Sequence, residues 1–138
     1  MVGANNPHRE RIAEQAAARP GTRVHGPRPH LADLMANADL GIGAGGTTTW
    51  ERCCLGLPTI VVSIAENQRP ACEALAKDGL IVYAGHWTGV TSDALRVAIT
   101  QLLRTPAHLL ALSTAARRSV HGEGTGCVVS VLEEGNGG

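Results

Sequence analysis

The sequence is poor in aromatic residues and balanced in charge. It has no Phe, and its two Trp and one Tyr make up only 2% of the chain, too few for the stacking platforms that bind single-stranded nucleic acid. Its 12 basic and 12 acidic residues give a net charge of +0, which removes the electrostatic basis for binding nucleic acid or an anionic membrane. There is no long uninterrupted apolar run, so we expect no transmembrane segment.

The spacing of the cysteines argues against a metal or redox site, and the first residues do not resemble a secretory leader. The four cysteines (Cys53, Cys54, Cys72 and Cys127) contain no C-x-x-C pair, so we expect reduced, structural thiols in a cytoplasmic protein, with no metal and no cofactor. The opening MVGANNPHRE lacks the apolar segment of a secretory leader. Residues 1–4 suggest the end of a strand before a polar helix cap, so we expect the chain to begin within a fold.

Helical and extended patterns alternate along the chain. Periodicity predicts strands over 22–25, 39–42, 58–64 and 80–83. It predicts helices over 7–18, 30–37, 47–55, 92–103, 106–118 and 124–133, and one from Ala71 to a cap at Asp78 and Gly79. This alternation predicts a Rossmann-like, doubly wound parallel α/β sheet. We expect one domain over 1–134, a size that allows a single core, and a flexible tail over 135–138.

The most informative segment is ADLGIGAGGTTTWE at 38–51. It predicts an apolar strand, a glycine-rich turn and a helix that opens with threonines. The first amides of a helix have no internal partners and lie at the positive end of its dipole, which favours a bound phosphate. Gly45, Gly46, Thr47 and Thr48 are therefore the candidate phosphate ligands, and simple capping of the helix by threonine is the alternative.

A second polar turn follows the next predicted strand. The β-branched run PTIVVSI at 58–64 is typical of a central strand buried on both faces. Because ligands of parallel sheets bind at the carboxyl ends of the strands, Asn67, Gln68 and Arg69 become candidate contacts to a sugar or a phosphate. The alternative is a polar capping turn, and for Arg69 the two interpretations are equally favoured.

The order of these motifs resembles the C-terminal half of a GT-B nucleotide-sugar enzyme. The matching features are the glycine turn, the Glu51 in the following helix, the L-G-x-P segment before the next strand and the Asn67–Gln68 turn. The pattern resembles MurG-type glycosyltransferases, but the Gly45–Gly46 pair and Trp50 before Glu51 look closer to the UDP-sugar hydrolases of pseudaminic acid biosynthesis. The resemblance spans nearly the whole chain and is most specific over 38–80.

This resemblance implies a division of labour between two domains. It implies that Gly45, Gly46, Thr47, Thr48, Asn67 and Gln68 hold the diphosphate and sugar of a UDP-sugar, and that Glu51 holds the ribose hydroxyls. It places the loop at Gly26 and Pro27 near the uracil. The catalytic histidine of the hydrolases belongs to an N-terminal domain, so none of the six histidines here inherits that role and we expect this chain alone to be inactive.

Three activities remain open at this stage. The first is a hydrolase that releases UDP and a diacetamido-trideoxy-L-altrose sugar, and the second is a MurG-like glycosyltransferase. The third is a non-catalytic nucleotide-binding subunit whose N-terminal GT-B partner lies on the same chain or on a separate one. Trp50 is expected to pack its helix against the sheet rather than shape the nucleotide pocket. We expect His86 and Trp87 in a surface loop after a strand, without a chemical role.

Overall fold

The structure, a computed structural model, describes residues 2–135. These residues form two compact units, one reaching to Leu31 and the other beginning at Ala32. No helix within this range is both long enough and apolar enough to cross a lipid bilayer. The last three residues of the predicted tail lie outside the described range.

The first unit contains a single helix, α1 (Arg9–Ala17). The strands predicted over 1–4 and 22–25 are wrong where they are described, because these segments share only the bond from Val2 N to His25 O, 2.9 Å. A parallel ladder needs a repeated series of such bonds. Pro27 and Pro29 have no N–H to extend the pairing, so the segment stays irregular.

The second unit is a parallel sheet in the order β1 (Gly41–Ala44), β2 (Thr59–Ser63) and β3 (Val82–His86). Its helices, in chain order, are α2 (Ala32–Ala36), α3 (Thr47–Cys54), α4 (Arg69–Lys77), α5 (Ser92–Leu103), α6 (Pro106–Ser119) and α7 (Gly124–Gly135). One 3₁₀ turn (Glu66–Gln68) precedes α4. The Rossmann-like α/β class is confirmed.

The outer strands begin later than the sequence predicted. β1 continues through Ala44 because its partner β2 remains extended to Ser63. Leu80 precedes β3 rather than belonging to it, because Leu80 N donates to Leu75 O (2.9 Å) and closes the turn after α4. Within β3, Ala84 is an extra residue between the pairs Val61–Tyr83 and Val62–Gly85.

The core lies on both faces of β2, as its unbroken apolar run predicted. Val61 packs on one side with residues of α3, α4 and α6, and Ile60 packs on the other with residues of α5 and α6. Both side chains are 0% exposed. Covering both faces of the central strand fixes where its carboxyl end emerges.

The two paired isoleucines of β1 and β2 provide a test of this core. Ile60→Ala should lower the free energy of unfolding by about 2–5 kcal/mol, because it leaves a cavity in a fully buried site. Ile42 faces Ile60 in the sheet register but is 52% exposed, so Ile42→Ala should cost less than about 1 kcal/mol. Urea unfolding of both variants measures the difference. Equal losses would show that Ile60 is not a core residue.

The cysteines give a second test. All four are free thiols; Cys53 and Cys72 are buried, whereas Cys127 is exposed. Burial raises the pKa of the Cys53 and Cys72 thiols and so lowers their thiolate fraction at neutral pH. Iodoacetamide should therefore modify Cys127 well before Cys53 and Cys72, as followed by peptide mass mapping, and Cys127→Ser should remove the fast phase. Modification of Cys72 as fast as Cys127 would contradict the packing of α4.

Candidate functional site

Two turns meet at one edge of the sheet. β1 runs into Gly45 and Gly46 and then α3, and β2 runs into the 3₁₀ turn and then α4. Because β1 and β2 are parallel neighbours, both turns lie at the carboxyl edge where ligands of such sheets bind.

A cavity of about 230 Å³ lies between these turns. We call it the α3–α4 cavity; its lining is Gly46, Thr47, Thr49, Trp50, Asn67, Gln68, Ala71, Cys72 and Leu75. It therefore unites Gly46, Thr47, Asn67 and Gln68, which the sequence predicted to act together. Gly45, Thr48 and Glu51 do not line it. A larger cavity of about 450 Å³ lies within the first unit and contains none of the predicted site residues.

Gly45 and Gly46 have different roles in the turn. The Gly45 amide donates to Val62 O (3.1 Å), so that donor is already used, and a Cβ at Gly45 would come 2.5 Å from Cys72 Sγ. Gly45 thus lets α4 approach the turn closely. Gly46 has room, since a Cβ there would meet only Gln68 Nε2 at 3.8 Å, and its amide makes one long bond to Thr49 Oγ1, 3.3 Å.

The backbone amides that are free to bind a ligand lie at the start of α3. Within the described chain, the amides of Thr47 and Thr48 have no hydrogen-bond partner, as expected for the first two positions of a helix. Thr47 is exposed and lines the cavity, while Thr48 is half-buried beside it. The donors suited to an anion are these two amides, with the weakly held Gly46 amide next to them.

The 3₁₀ turn brings side chains to the opposite wall of the cavity. Gln68 Oε1 accepts from Ile64 N (2.9 Å), which fixes the side-chain amide at the end of β2 and leaves the Nε2 donors toward Gly46. Asn67 is exposed at the same wall. These amides can recognise hydroxyl or phosphate oxygens.

Trp50 corrects one expectation. The sequence favoured packing of this side chain against the sheet, but it is 46% exposed and lines the α3–α4 cavity. The helix buries Thr49, Arg52 and Cys53 instead, and this turns the neighbouring Trp50 to the outside. The pocket-shaping interpretation of Trp50 is the one that its position favours.

Glu51 lies on the exposed side of α3, one turn after Thr47. Residues four apart on a helix share a face, so Glu51 lies on the same side of α3 as Thr47, although it does not line the cavity itself. It forms no ion pair within residues 2–135.

A separate polar group is centred on Glu66, the first residue of the 3₁₀ turn. Glu66 contacts Arg69 (3.2 Å) and His86 Nε2 (3.6 Å), and His86 Nδ1 is 2.9 Å from Thr88 Oγ1. His86 is the last residue of β3, so its predicted place in a loop is wrong, whereas Trp87 follows the strand and is 59% exposed. Arg69 is engaged by Glu66 and does not line the cavity.

Sequence reasoning missed Arg52. This side chain is buried, and its Nη2 donates to Ala44 O (2.9 Å) and to Thr49 Oγ1 (3.0 Å). It lies along β1 where Gly41 and Gly43 leave space; a Cβ at Gly43 would overlap its Nη1. Two glycines on one face of a strand, with an arginine in the following helix, were the signal available in the sequence. Burial lowers the pKa of Arg52 from its ordinary value.

The described residues offer little for a metal ion. Between residues 2 and 135, no three His, Cys, Asp or Glu side chains are grouped so that they could hold one. The donors around the α3–α4 cavity are instead amides and hydroxyls, which suit an oxygen-rich anionic or sugar ligand.

Comparison with known proteins found similarity in sequence and in fold. No protein-family model matches the sequence. The chain is 26% identical over 134 residues to the spore coat polysaccharide biosynthesis protein SpsG of Bacillus subtilis (strain 168), a match covering 97% of this chain and 40% of that protein. It also resembles the crystal structure of the glycotransferase of kitacinnamycin, with a TM-score of 0.65 and 26% identity over 83% of this chain.

The chain thus spans well under half the length of either relative, since it covers only 30% of the glycotransferase chain. One relative is named for polysaccharide biosynthesis and the other for glycosyl transfer. The parallel α/β unit and these two similarities together support assignment of the chain as a sugar-nucleotide-related, GT-B-like domain.

Proposed function

We propose that this chain is the UDP-binding half of a GT-B enzyme that hydrolyses a UDP-sugar. The observation that carries the proposal is the pair of free amides at Thr47 and Thr48, beside a cavity whose other wall holds Asn67 and Gln68. Backbone donors at a helix N-terminus suit a diphosphate, and side-chain amides suit hydroxyl groups.

Each site residue then has a part in holding the ligand. The Gly46, Thr47 and Thr48 amides take the diphosphate, and Gly45 keeps the turn close to α4. Asn67 and Gln68 contact the sugar or its attached phosphate. Glu51, one turn after Thr47 on α3, accepts hydrogen bonds from the ribose hydroxyls. A carboxylate would repel the phosphates, but it forms strong charge-assisted hydrogen bonds with a diol.

The proposed reaction is attack of water on the anomeric carbon, with UDP as the leaving group. This domain supports it by stabilising the negative charge that develops on the diphosphate. The base that activates water belongs to an N-terminal GT-B domain, on the same chain or on a separate subunit. The share of each relative that the chain covers is consistent with such an additional domain.

A glycosyltransferase is the second candidate. The relative named as a glycotransferase supports it, because transfer to an acceptor uses the same donor site. The hydrolase is preferred on the sequence pattern of Gly45, Gly46, Trp50 and Glu51. Calorimetry with UDP, UDP-N-acetylglucosamine and ADP tests the feature that both share. Absence of UDP binding, or equal binding of ADP, would overturn the proposal.

Glu51 gives the sharpest test of the ligand's orientation. Glu51→Gln keeps the shape of the side chain but removes its charge, and it should weaken UDP binding by roughly 1.5–3 kcal/mol in calorimetry. Stability should change little, because the side chain is exposed. A dideoxy analogue of UDP should bind the variant and the parent equally.

Glu133→Gln, on the exposed surface of α7, is the matched control and should leave binding unchanged. If Glu51→Gln binds UDP as tightly as the parent, or unfolds the domain, the ribose assignment is wrong.

The division of labour predicts no turnover by this chain alone. Incubated with a UDP-sugar, the purified 138-residue protein should release no more UDP than a Glu51→Ala variant, because the activating base lies elsewhere. Coupled detection of UDP measures this. Release clearly above that background would show that the chain carries its own catalytic groups.

A further inference from the structure

Arg52 is a buried cation whose neighbouring carboxylate, Glu51, favours its charged form but makes no ion pair with it. The residue is only 7% exposed, and among residues 2–135 no carboxylate forms an ion pair with it. Its Nε is buried and makes no hydrogen bond. A buried, uncompensated charge destabilises a fold by several kcal/mol, so an apolar side chain at this position would serve packing better.

The guanidinium is joined directly to the proposed anion site. Its Nη2 holds the carbonyl of Ala44, the residue before the Gly45–Gly46 turn, and the hydroxyl of Thr49, which lines the α3–α4 cavity. Thr49 Oγ1 also accepts from Gly46 N and donates to Ala44 O, both at 3.3 Å. The Thr49 hydroxyl thus links Arg52 to the Gly46 amide, a candidate phosphate donor. The hydroxyl's one donor and two acceptor positions are all in use.

Strand β1 leaves room for the Arg52 side chain. A Cβ at Gly41 would lie 3.4 Å from Arg52 Cδ, and one at Gly43 would overlap Nη1. Neither glycine has a positive φ, so the backbone does not require glycine at these positions. Gly43 therefore provides space for the arginine, whereas a Cβ at Gly41 would come closest to Leu57 Cδ2 (3.1 Å) and Thr59 Oγ1 (3.2 Å).

We propose that Arg52 is a positioning residue that makes the α3–α4 cavity select its ligand by phosphate charge. Its guanidinium orients the Gly46 turn through Ala44 and Thr49, and a bound diphosphate supplies the close anionic partner that Arg52 lacks among residues 2–135. This inference rests on the proposed function, because it assumes a diphosphate at the α3 amides. Beyond that function, we expect the preference for UDP over uridine to depend on Arg52.

The experiment compares UDP, UMP and uridine by calorimetry for the wild-type chain and its variants. Arg52→Met should lower the affinity ratio of UDP to uridine on the order of tenfold, since one charge is removed from the vicinity of the phosphates. Arg52→Lys keeps the charge and should retain the ratio within about threefold. Arg96→Met removes an equally charged but exposed arginine from α5 and should leave the ratio unchanged.

Gly43→Ala provides a variant that keeps the arginine but displaces it. The added methyl meets the end of a flexible side chain, so the fold should tolerate it better than loss of Arg52. We expect the UDP to uridine ratio to fall here too. This variant decides the question if Arg52→Met does not fold.

The failures of the two proposals are distinguishable. Equal binding of UDP and uridine by the wild-type chain would overturn the proposed diphosphate site. A clear wild-type preference that survives in Arg52→Met, or in Gly43→Ala where Arg52→Met does not fold, would leave that site intact and overturn the role of Arg52. An equal loss in Arg52→Lys and Arg52→Met would exclude its charge as the cause.

Discussion

The parallel pairing of β1 with β2 is the constraint on which the site depends. It brings two turns that are 20 residues apart in sequence, Gly46 and Glu66, to one edge of the sheet. The bond from Gly45 N to Val62 O extends this pairing one residue past the end of β1 and holds the glycine turn against the second strand. Since β2 is covered on both faces, neither turn can move without disturbing the core.

The local patterns of the sequence predicted the central elements well. β2, α3 and α5 follow from a β-branched run, a glycine turn with threonines after it and an apolar stripe, all of which depend on neighbouring residues. The residue that caps α3 is Gly46, not a threonine. The strand starts were less predictable, because a strand extends only as far as its partner does. The site was likewise predictable only in part. The meeting of the two turns followed from the parallel topology of the sheet, but the side of α3 that faces inward depends on tertiary packing. This is why Trp50 is exposed where packing was expected, and why the buried Arg52 was not anticipated.

The burial of Arg52 shows how a site can conflict with stability. The charge costs free energy in the interior, it lies near the positive end of α3, and it requires a glycine at position 43 of β1, which favours the unfolded chain. Its compensation within the described chain is two hydrogen bonds to oxygen atoms. Positive charge beneath free amides, with no carboxylate in ion-pair contact with it among residues 2–135, makes an environment complementary to an anion.

The two walls of the α3–α4 cavity contribute to binding in different ways. The α3 wall offers backbone amides, and the side chains of Arg52 and Thr49 hold the adjoining Gly46 turn in place. The 3₁₀ turn offers the side chains of Asn67 and Gln68, so its recognition changes with every substitution there. Under the proposed function, hydrolysis and glycosyl transfer would both use the first wall, because each must stabilise the same leaving group. Substitution of Asn67 or Gln68 would then change what the second wall recognises while the backbone donors of α3 remain.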